Sequence, residues 1–345
     1  MEREMTNPQT EALGHAKTGS ILARPENDTA LGRQWVLTGR HVVPKAVVKR
    51  LQQRRDGPGL IYITSHLLLI AAAALSVQFA IGTQWLWPAM FMLGGVSVFL
   101  FAAMHECWHW TAFRTRWIND AVGLLSGMII ARPFFWARHL HTAHHTHTAR
   151  EGHDTDVVKA PQSLLEYMFY VTAVMFWWRS IGWYWRGLSG RWNDFDRGFL
   201  PVVEMSKSSW EIRFHVLLWA TLSVVSAYNS SFAFLYFYVI PRLMGEPVMR
   251  LFRMAEHAGA ERTPNLLAST RTTYTNAVIR FLYWQMPFHA EHHLFPSVPF
   301  FSLAELNRYT APHLKTTERG YWRVHWKLIR NSFQPGSQFS GHSEV

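Results

Sequence analysis

The sequence predicts an all-α integral membrane protein with about four transmembrane helices in two hairpins, additional interfacial helices and a cytoplasmic histidine-rich cap. Three observations lead to this fold class: a low content of charged residues, long apolar runs, and histidines grouped in short clusters. Charged residues make up 17% of the 345 residues, against about 25% in typical soluble domains. The net charge is +11. Because the chain also has long apolar runs, this charge favours attraction to anionic lipid head groups over nucleic-acid binding.

The first hairpin is predicted from two uncharged runs that flank a short turn. Residues 61–82 are long enough to cross the hydrocarbon core, which needs about 20 apolar residues. Residues 89–104 return from the turn and lead directly into the first histidine cluster. A second and weaker hairpin is predicted from the apolar runs 212–226 and 232–249, which flank a short polar turn.

Basic residues ahead of the first apolar run set the predicted orientation. They are Arg40, Lys45, Lys49, Arg50, Arg54 and Arg55, whereas neither hairpin turn contains Lys or Arg. By the positive-inside rule the termini are cytoplasmic, and each hairpin returns the chain to that face of an inner or plasma membrane. Residues 164–185 are also apolar, but Arg179 and the density of Trp and Tyr favour a helix that lies in the head-group region.

A single membrane domain is predicted over residues 31–330. The polar segments at 1–30 and 331–345 are rich in Gly, Pro and Asn or Ser, and both are typical of disordered tails. The single Cys107 excludes an internal disulfide and any iron–sulfur cluster held by several cysteines.

The histidine clusters predict a centre with two metal ions. Their members are His105 and His109, then His141, His144 and His145, then His289, His292 and His293. Residues three and four apart share one face of a helix, and imidazole suits iron, zinc, copper and nickel. His257 follows the fourth apolar run, and we expect it to join the ligands because it reaches the same membrane face. His139 and His147 are expected to stay outside the ligand set.

Charged residues near the clusters are candidates for supporting roles. A metal-bound imidazole usually donates its other N–H to a carboxylate or carbonyl, and the candidate acids are Glu106, Glu256, Glu291 and Asp154. Asp156 is a further candidate, for which a solvated surface acid is also a plausible interpretation. Six arginines either extend to the membrane interface or bind a phosphate or carboxylate head group: Arg132, Arg138, Arg179, Arg186, Arg191 and Arg197.

The clusters and their flanks resemble the membrane-bound fatty acid desaturase superfamily, whose members carry three histidine boxes. The matching segments are HECWH at 105–109, HTAHH at 141–145 and HAEHH at 289–293. The stretch YWQMPFHAEHHLFP at 283–296 is similar to the bacterial-type acyl desaturase branch. The resemblance extends over about residues 60–315.

The resemblance implies a pair of Fe²⁺ ions. The implied ligands are His105, His109, His141, His144, His145, His257, His289, His292 and His293. It also implies a fatty acyl substrate and O2. Because the chain contains no GxGxxG or Walker-type loop, electrons are expected from a separate ferredoxin-like or cytochrome-b-type protein with its reductase. One position departs from the acyl-CoA desaturases, where an Asn helps to hold one iron through water. Arg253 stands there, which leaves that coordination position to another group such as Glu256.

Desaturation is the predicted reaction, and several alternatives stay open. Within the superfamily these are hydroxylation and decarboxylation to a 1-alkene, since iron and O2 supply the oxidant and small changes in substrate position decide the product. From a different class, HECWH alone also fits the HExxH zinc protease pattern, with Glu106 as general base. A non-catalytic metal-binding or transport protein is a third alternative.

Overall fold

Helices occupy most of residues 35–333, the part of the chain that the computed structural model describes. The predicted tail at 1–30 and nearly all of the predicted tail at 331–345 lie outside these residues. In chain order the helices are α1 (Lys45–Leu51), α2 (Asp56–Ala80), α3 (Leu86–Val98), α4 (Leu100–Trp108), α5 (Arg116–Ile129), α6 (Phe134–Thr146), α7 (Leu164–Val171), α8 (Val174–Ser189), α9 (Asp194–Arg197), α10 (Val202–Tyr228), α11 (Ile240–His257), α12 (Leu266–Ser269), α13 (Ala277–Leu282), α14 (His289–Leu294), α15 (Phe300–Thr310) and α16 (Tyr321–Ser332). Short 3-10 turns at Arg40–Val42 and Ala311–His313 and a π-helical turn at Leu235–Val239 complete the helical structure of this region.

The first hairpin consists of α2 and the continuous pair α3 and α4. α2 has 25 residues with a mean hydropathy of 2.1, and Leu86–Trp108 has 23 residues with a mean hydropathy of 1.8. Both are long and apolar enough to cross a membrane. Leu68, Leu75 and Phe79 of α2 are exposed in the chain alone, as expected of side chains that face lipid. The hairpin is therefore present where the apolar runs predicted it.

The second predicted hairpin is helical, but its helices are less apolar. α10 covers residues 212–226, and the π-helical turn with α11 covers most of 232–249. Among the described residues only the two helices of the first hairpin pass as single spans. A third crossing is possible if α5 and α6, which meet at a bend of 103°, form one broken span. The presence of four transmembrane helices therefore stays a prediction. The bend between α5 and α6 was not anticipated from the sequence.

A close crossing of α3 and α11 brings two histidine-bearing segments together. A Cβ atom on Gly94 would lie 2.0 Å from the carbonyl oxygen of Pro241, and one on Gly245 would lie 2.3 Å from that of Gly94. Only glycine at both positions allows the backbones to approach this closely. The crossing sets α11 beside the helix that continues into α4.

The region 164–185 forms two short helices. α7 and α8 are separated by Ala173, whose φ of 62° interrupts the helical run. Trp178, Ile181 and Trp185 of α8 are exposed, whereas Phe176 and Trp183 are buried. This division into two faces suits a helix that lies along a membrane surface, and that location remains a prediction.

The all-α prediction is confirmed with one small addition. Strands β1 (Thr272–Tyr274) and β2 (Thr317–Arg319) form a two-stranded parallel sheet. The sheet joins the segment that precedes α13 and α14 to the segment that precedes α16. It is too short to be read from an alternating sequence pattern.

Candidate metal centre

Four helices bring the predicted histidines to one place. α4 carries His105 and ends next to His109, α6 carries the second cluster, α11 ends at His257, and α14 carries the third cluster. Seven of the nine are buried, and His109 and His145 are partly buried. The histidines thus converge from segments that are more than 180 residues apart in the chain.

The nine imidazoles divide into two sets of possible ligands. His105, His109, His141, His145 and His292 each offer a nitrogen within 4.8 Å of the others, and we call them the five-histidine group. His144, His257 and His293 form a second such set, and His257 and His289 form a third with Glu256. Because His257 belongs to both, we call His144, His257, His289 and His293 the four-histidine group.

Several ring nitrogens lie very close to one another, as expected if they share a bound cation. Nε2–Nε2 distances are 3.1 Å for His109–His141 and 2.9 Å for His141–His145. They are 3.0 Å for both His145–His292 and His257–His289. The Nε2 atoms of His105, His144 and His293 are buried with no hydrogen-bond partner among the described residues. Buried polar atoms are normally satisfied, so the donor set fits metal ions held by imidazole.

Burial also keeps the third cluster in the form that binds metal. The pKa values of His289, His292 and His293 lie well below the ordinary histidine value, because burial disfavours the charged ring and neighbouring imidazoles add to the effect. Neutral imidazole is the form that ligates a metal.

Three of the predicted acids, Asp154, Glu106 and Glu256, contact or approach the ligands directly. Asp154 Oδ1 lies 2.6 Å from Nδ1 of His144, a hydrogen bond that fixes this ring with Nε2 toward the centre. Glu106 Oε1 lies 3.9 Å from Nδ1 of both His105 and His292. Its other oxygen accepts hydrogen bonds from the Thr111 hydroxyl and the Phe300 amide.

Glu256 is held in place beside the four-histidine group by two neighbours. Arg253 donates to its Oε2 at 2.8 Å, and the Tyr283 hydroxyl donates to its Oε1 at 2.5 Å. Oε1 lies 3.7 Å from Nδ1 of His289. Arg253 also donates to Asp156 at 2.6 Å, so Asp156 belongs to this network although 25% of its side chain is exposed.

Glu291 lies away from the ligand nitrogens although it sits inside a histidine box. Its oxygens accept hydrogen bonds from Thr272, Asn307 and Thr310 at 2.6–2.7 Å. These contacts join α14 to β1 and α15. Glu291 therefore fixes the helix that carries three ligands, and it does not orient an imidazole as the sequence predicted.

Two supporting contacts were missed by sequence reasoning. Thr148 Oγ1 lies 3.2 Å from Nδ1 of His293. Glu211 of α10 accepts hydrogen bonds from the backbone amides of Phe134 and Phe135, the latter at 2.9 Å, and so caps the helix that carries the second cluster. No local pattern marks Glu211, because its partners lie 76 and 77 residues away.

A comparison with models of protein families adds to this geometry. The fatty acid desaturase model matches residues 82–325, which is more than half of the chain and includes all nine histidines. The chain belongs to the fatty acid desaturase family. A search of curated proteins found no match. This desaturase-family protein is accordingly an oxidoreductase with a fatty acyl substrate and O2, and its apolar helices agree with a membrane protein.

The remaining histidines of this desaturase-family protein stand apart from the centre. His139 and His147 belong to none of the ligand sets. His139 lies 3.9 Å from Glu204, and the ring of His147 is nearest to that of His153. Glu106 is also absent from the sets, and family membership gives no support to a zinc protease in which it would be the general base.

Proposed function

We propose that the chain is a diiron enzyme that uses O2 to desaturate a fatty acyl chain. The observation that carries the proposal is the set of nine histidines, which divides into groups of five and four and in which several buried ring nitrogens lack a hydrogen-bond partner among the described residues. A single ion would leave one of these groups without a function. Imidazole suits iron, and the family oxidises fatty acyl chains.

Each group would hold one iron, and the acids would keep the rings oriented. The five-histidine group would bind through imidazole alone, with Glu106 nearby. The four-histidine group has Asp154 behind His144 and Glu256 beside His289. Glu256 is our candidate for the coordination position that an Asn serves in acyl-CoA desaturases, because Arg253 directs its guanidinium to carboxylates.

Bound iron would supply, with O2, the oxidising power needed to remove hydrogen from an unactivated methylene. The contribution of the chain itself is exclusion of water and placement of one methylene. Phe101 and Trp108 are buried and their rings lie 6.1 and 5.7 Å from the ring of His105. They would form an apolar wall on one side of the centre.

Electrons and topology complete the proposal. The chain contains no nucleotide-binding loop, so a ferredoxin-like or cytochrome-b-type protein with its reductase would deliver electrons. The positive-inside rule favours a multi-pass protein whose centre and termini face the cytoplasm. Protease protection of tags at both termini in inside-out and right-side-out vesicles tests this orientation.

Expression in a host with known lipids, followed by mass spectrometry of fatty acids and hydrocarbons, tests the reaction. New double bonds that are absent with an empty vector support desaturation. Hydroxyl groups or shortened 1-alkenes would identify hydroxylation or decarboxylation instead. Iron and zinc are measured on the purified protein, and one zinc per chain with no iron would contradict the diiron centre.

A further inference from the structure

A second, largely buried polar cluster lies next to the metal centre and carries an excess of positive charge; its most exposed member, Asp156, has 25% of its side chain exposed. It contains the guanidinium groups of Arg132, Arg242, Arg250 and Arg253 and the carboxylates of Asp156, Glu246 and Glu256. We call it the arginine cluster. Four cations face three anions, and buried charges are stable only when they are paired. One negative charge is therefore missing.

Most of the arginines in the cluster have strong partners. Arg242 donates to Glu246 at 2.6 Å and also to the carbonyl of Ile130. Arg250 lies 2.5 Å from the other oxygen of Glu246. Arg253 bonds Asp156 and Glu256, as described above. Each of these three side chains thus has a carboxylate partner within the protein, although Nη1 of Arg242 is buried without an acceptor among the described residues.

Arg132 has no comparable partner. It is 6% exposed, and its Nε is buried without a hydrogen-bond acceptor among the described residues. The nearest carboxylate oxygen is Oδ2 of Asp156 at 4.0 Å, and that same oxygen accepts the 2.6 Å bond from Arg253. Nε of Arg250 and the hydroxyl of Tyr170 are further buried donors of the region that lack an acceptor.

Aromatic rings connect Arg132 to the histidines. Its guanidinium lies 5.4 Å from the centre of the Phe101 ring and 5.8 Å from that of the Trp108 ring. The Trp108 ring is in turn 5.0 Å from the ring of His141 and 5.7 Å from that of His105. One aromatic side chain thus separates the unpaired guanidinium from the five-histidine group.

We propose that Arg132 binds the carboxylate of a free fatty acid, so that the substrate enters the centre with its acid group unesterified. The inference rests on the proposed oxidation of fatty acyl chains and adds the form of the substrate. A carboxylate supplies the one missing charge and accepts the N–H of Arg132 through a charge-assisted hydrogen bond. The rings of Phe101 and Trp108 beside the guanidinium suit the first methylenes of the chain.

The proposal has a consequence for the position of oxidation. Because Trp108 contacts both Arg132 and the histidines, a bound carboxylate would set the carbons close to it against the metal centre. Oxidation would then occur near the carboxyl end and not in the middle of the chain. A double bond close to the acid group, or a 1-alkene formed with loss of the carboxylate, is the product pattern that agrees with this placement.

Equilibrium binding to the purified metal-loaded protein in nanodiscs tests the proposal. The probes are dodecanoate, octadecanoate, their methyl esters and dodecyl phosphate, with protein-free nanodiscs as background. At least one acid should bind about tenfold more tightly than its ester, the difference that one charge-assisted hydrogen bond of about 1.4 kcal/mol produces. Equal binding of both acids and their esters would overturn the proposal, and tighter binding of dodecyl phosphate would replace carboxylate by phosphate.

Variants of Arg132 test whether this side chain causes the preference for the acid over the ester. Arg132→Gln should bind acid and ester equally. Arg213→Gln replaces a partly exposed arginine outside the cluster that donates to the Leu188 carbonyl, and it should keep the preference for the acid. Arg132→Lys keeps the charge without the planar fork and should retain part of the preference, which provides a readout if the Gln variant fails to fold. A preference that survives in Arg132→Gln would rule out Arg132 as the carboxylate ligand.

The failure of this inference is distinguishable from that of the proposed function. If oxidised lipids form in the expression host while acids and esters bind equally, only the carboxylate site is wrong. If acids are preferred but no lipid is oxidised with any electron donor, the carboxylate site stands and the oxidase proposal fails.

Discussion

The histidine groups and the arginine cluster are both buried, they lie side by side, and they leave opposite kinds of atom without a partner. In the histidine groups the unpartnered atoms are ring nitrogens such as Nε2 of His105 and His144, whereas in the arginine cluster they are mainly N–H donors, those of Arg132, Arg242 and Arg250. Lone pairs fit a cation and N–H groups fit an anion. The difference agrees with our proposal that the histidine groups bind metal ions and that the arginine cluster binds the acid group of the substrate.

Removing a histidine of the five-histidine group should cause the largest loss of activity. His292→Ala removes a nitrogen that lies 3.0 Å from that of His145. We expect activity to fall by more than the roughly 100-fold loss typical of a residue that merely supports a metal ligand. Iron content should be about half that of the wild type, as measured by elemental analysis of the purified protein.

His139→Ala is the matched control, because this histidine lies on the same helix as the second cluster but outside the ligand sets. It should retain the iron content and activity of the wild type. If His139→Ala lost iron and His292→Ala did not, the division into two groups would be wrong.

In the arginine cluster, replacing an arginine that has close carboxylate partners should cause the largest loss of stability. Arg253→Met leaves Glu256 as a buried carboxylate without its cation and removes the closest cation of the partly buried Asp156. Breaking a buried ion pair in this way costs about 3–5 kcal/mol, so the variant should unfold at a much lower temperature in nanodiscs. Arg262→Met, which removes an exposed pair with Glu151, should leave the melting temperature nearly unchanged.

A smaller effect is expected for the acid that supports His144. Asp154→Asn keeps the shape of the side chain but removes the negative charge behind Nδ1, at 2.6 Å. Supporting residues of this kind change metal affinity by about 10–100-fold, and we expect the lower end because an amide oxygen can still accept the bond. Competition with a fluorescent chelator measures the iron affinity, and Asp194→Asn, a fully exposed acid, is the control. Equal affinities for both variants would show that Asp154 does not support the metal.

Much of the histidine cluster could be predicted from the sequence, because spacings of three and four residues define helix faces locally. The prediction that His257 joins them followed from the hairpin arrangement, which brings its helix back to the same side. Glu291 shows the limit of this reasoning. It lies between ligands in the chain, yet a helix turns its side chain toward Thr272 and Thr310, and only the three-dimensional packing decides which neighbours an acid meets.

The arginine cluster and the bent helix pair could not be predicted in the same way. Arg132 was one of six arginines with two open roles. Of the other five, Arg179, Arg191 and Arg197 are exposed, and Arg138 and Arg186 each donate to a carboxylate. The isolation of Arg132 depends on Asp156 being committed to Arg253, a contact between residues 97 positions apart. Long-range pairing of this kind leaves no periodic signal in the sequence.

The smallest change in stability should come from Arg132 itself, and this separates it most clearly from Arg253. The two guanidiniums lie at 5.4 and 5.2 Å from the same Phe101 ring, so both lose a comparable cation–π contact on mutation. Arg132→Met, however, removes the excess charge and leaves the other charges of the cluster balanced, three against three. We expect its unfolding free energy to stay within about 1 kcal/mol of the wild type.

Thermal unfolding with and without dodecanoate or octadecanoate checks this expectation. A ligand that binds only the folded protein raises the melting temperature, so the acids should stabilise the wild type, and they should stabilise Arg132→Met no more than the methyl esters do. If Arg132→Met lost as much stability as Arg253→Met, the guanidinium would have a structural partner within the protein. Arg132 would then be one more paired arginine. The arginine cluster would no longer be a candidate anion site, and only the histidine groups would remain as a candidate binding site.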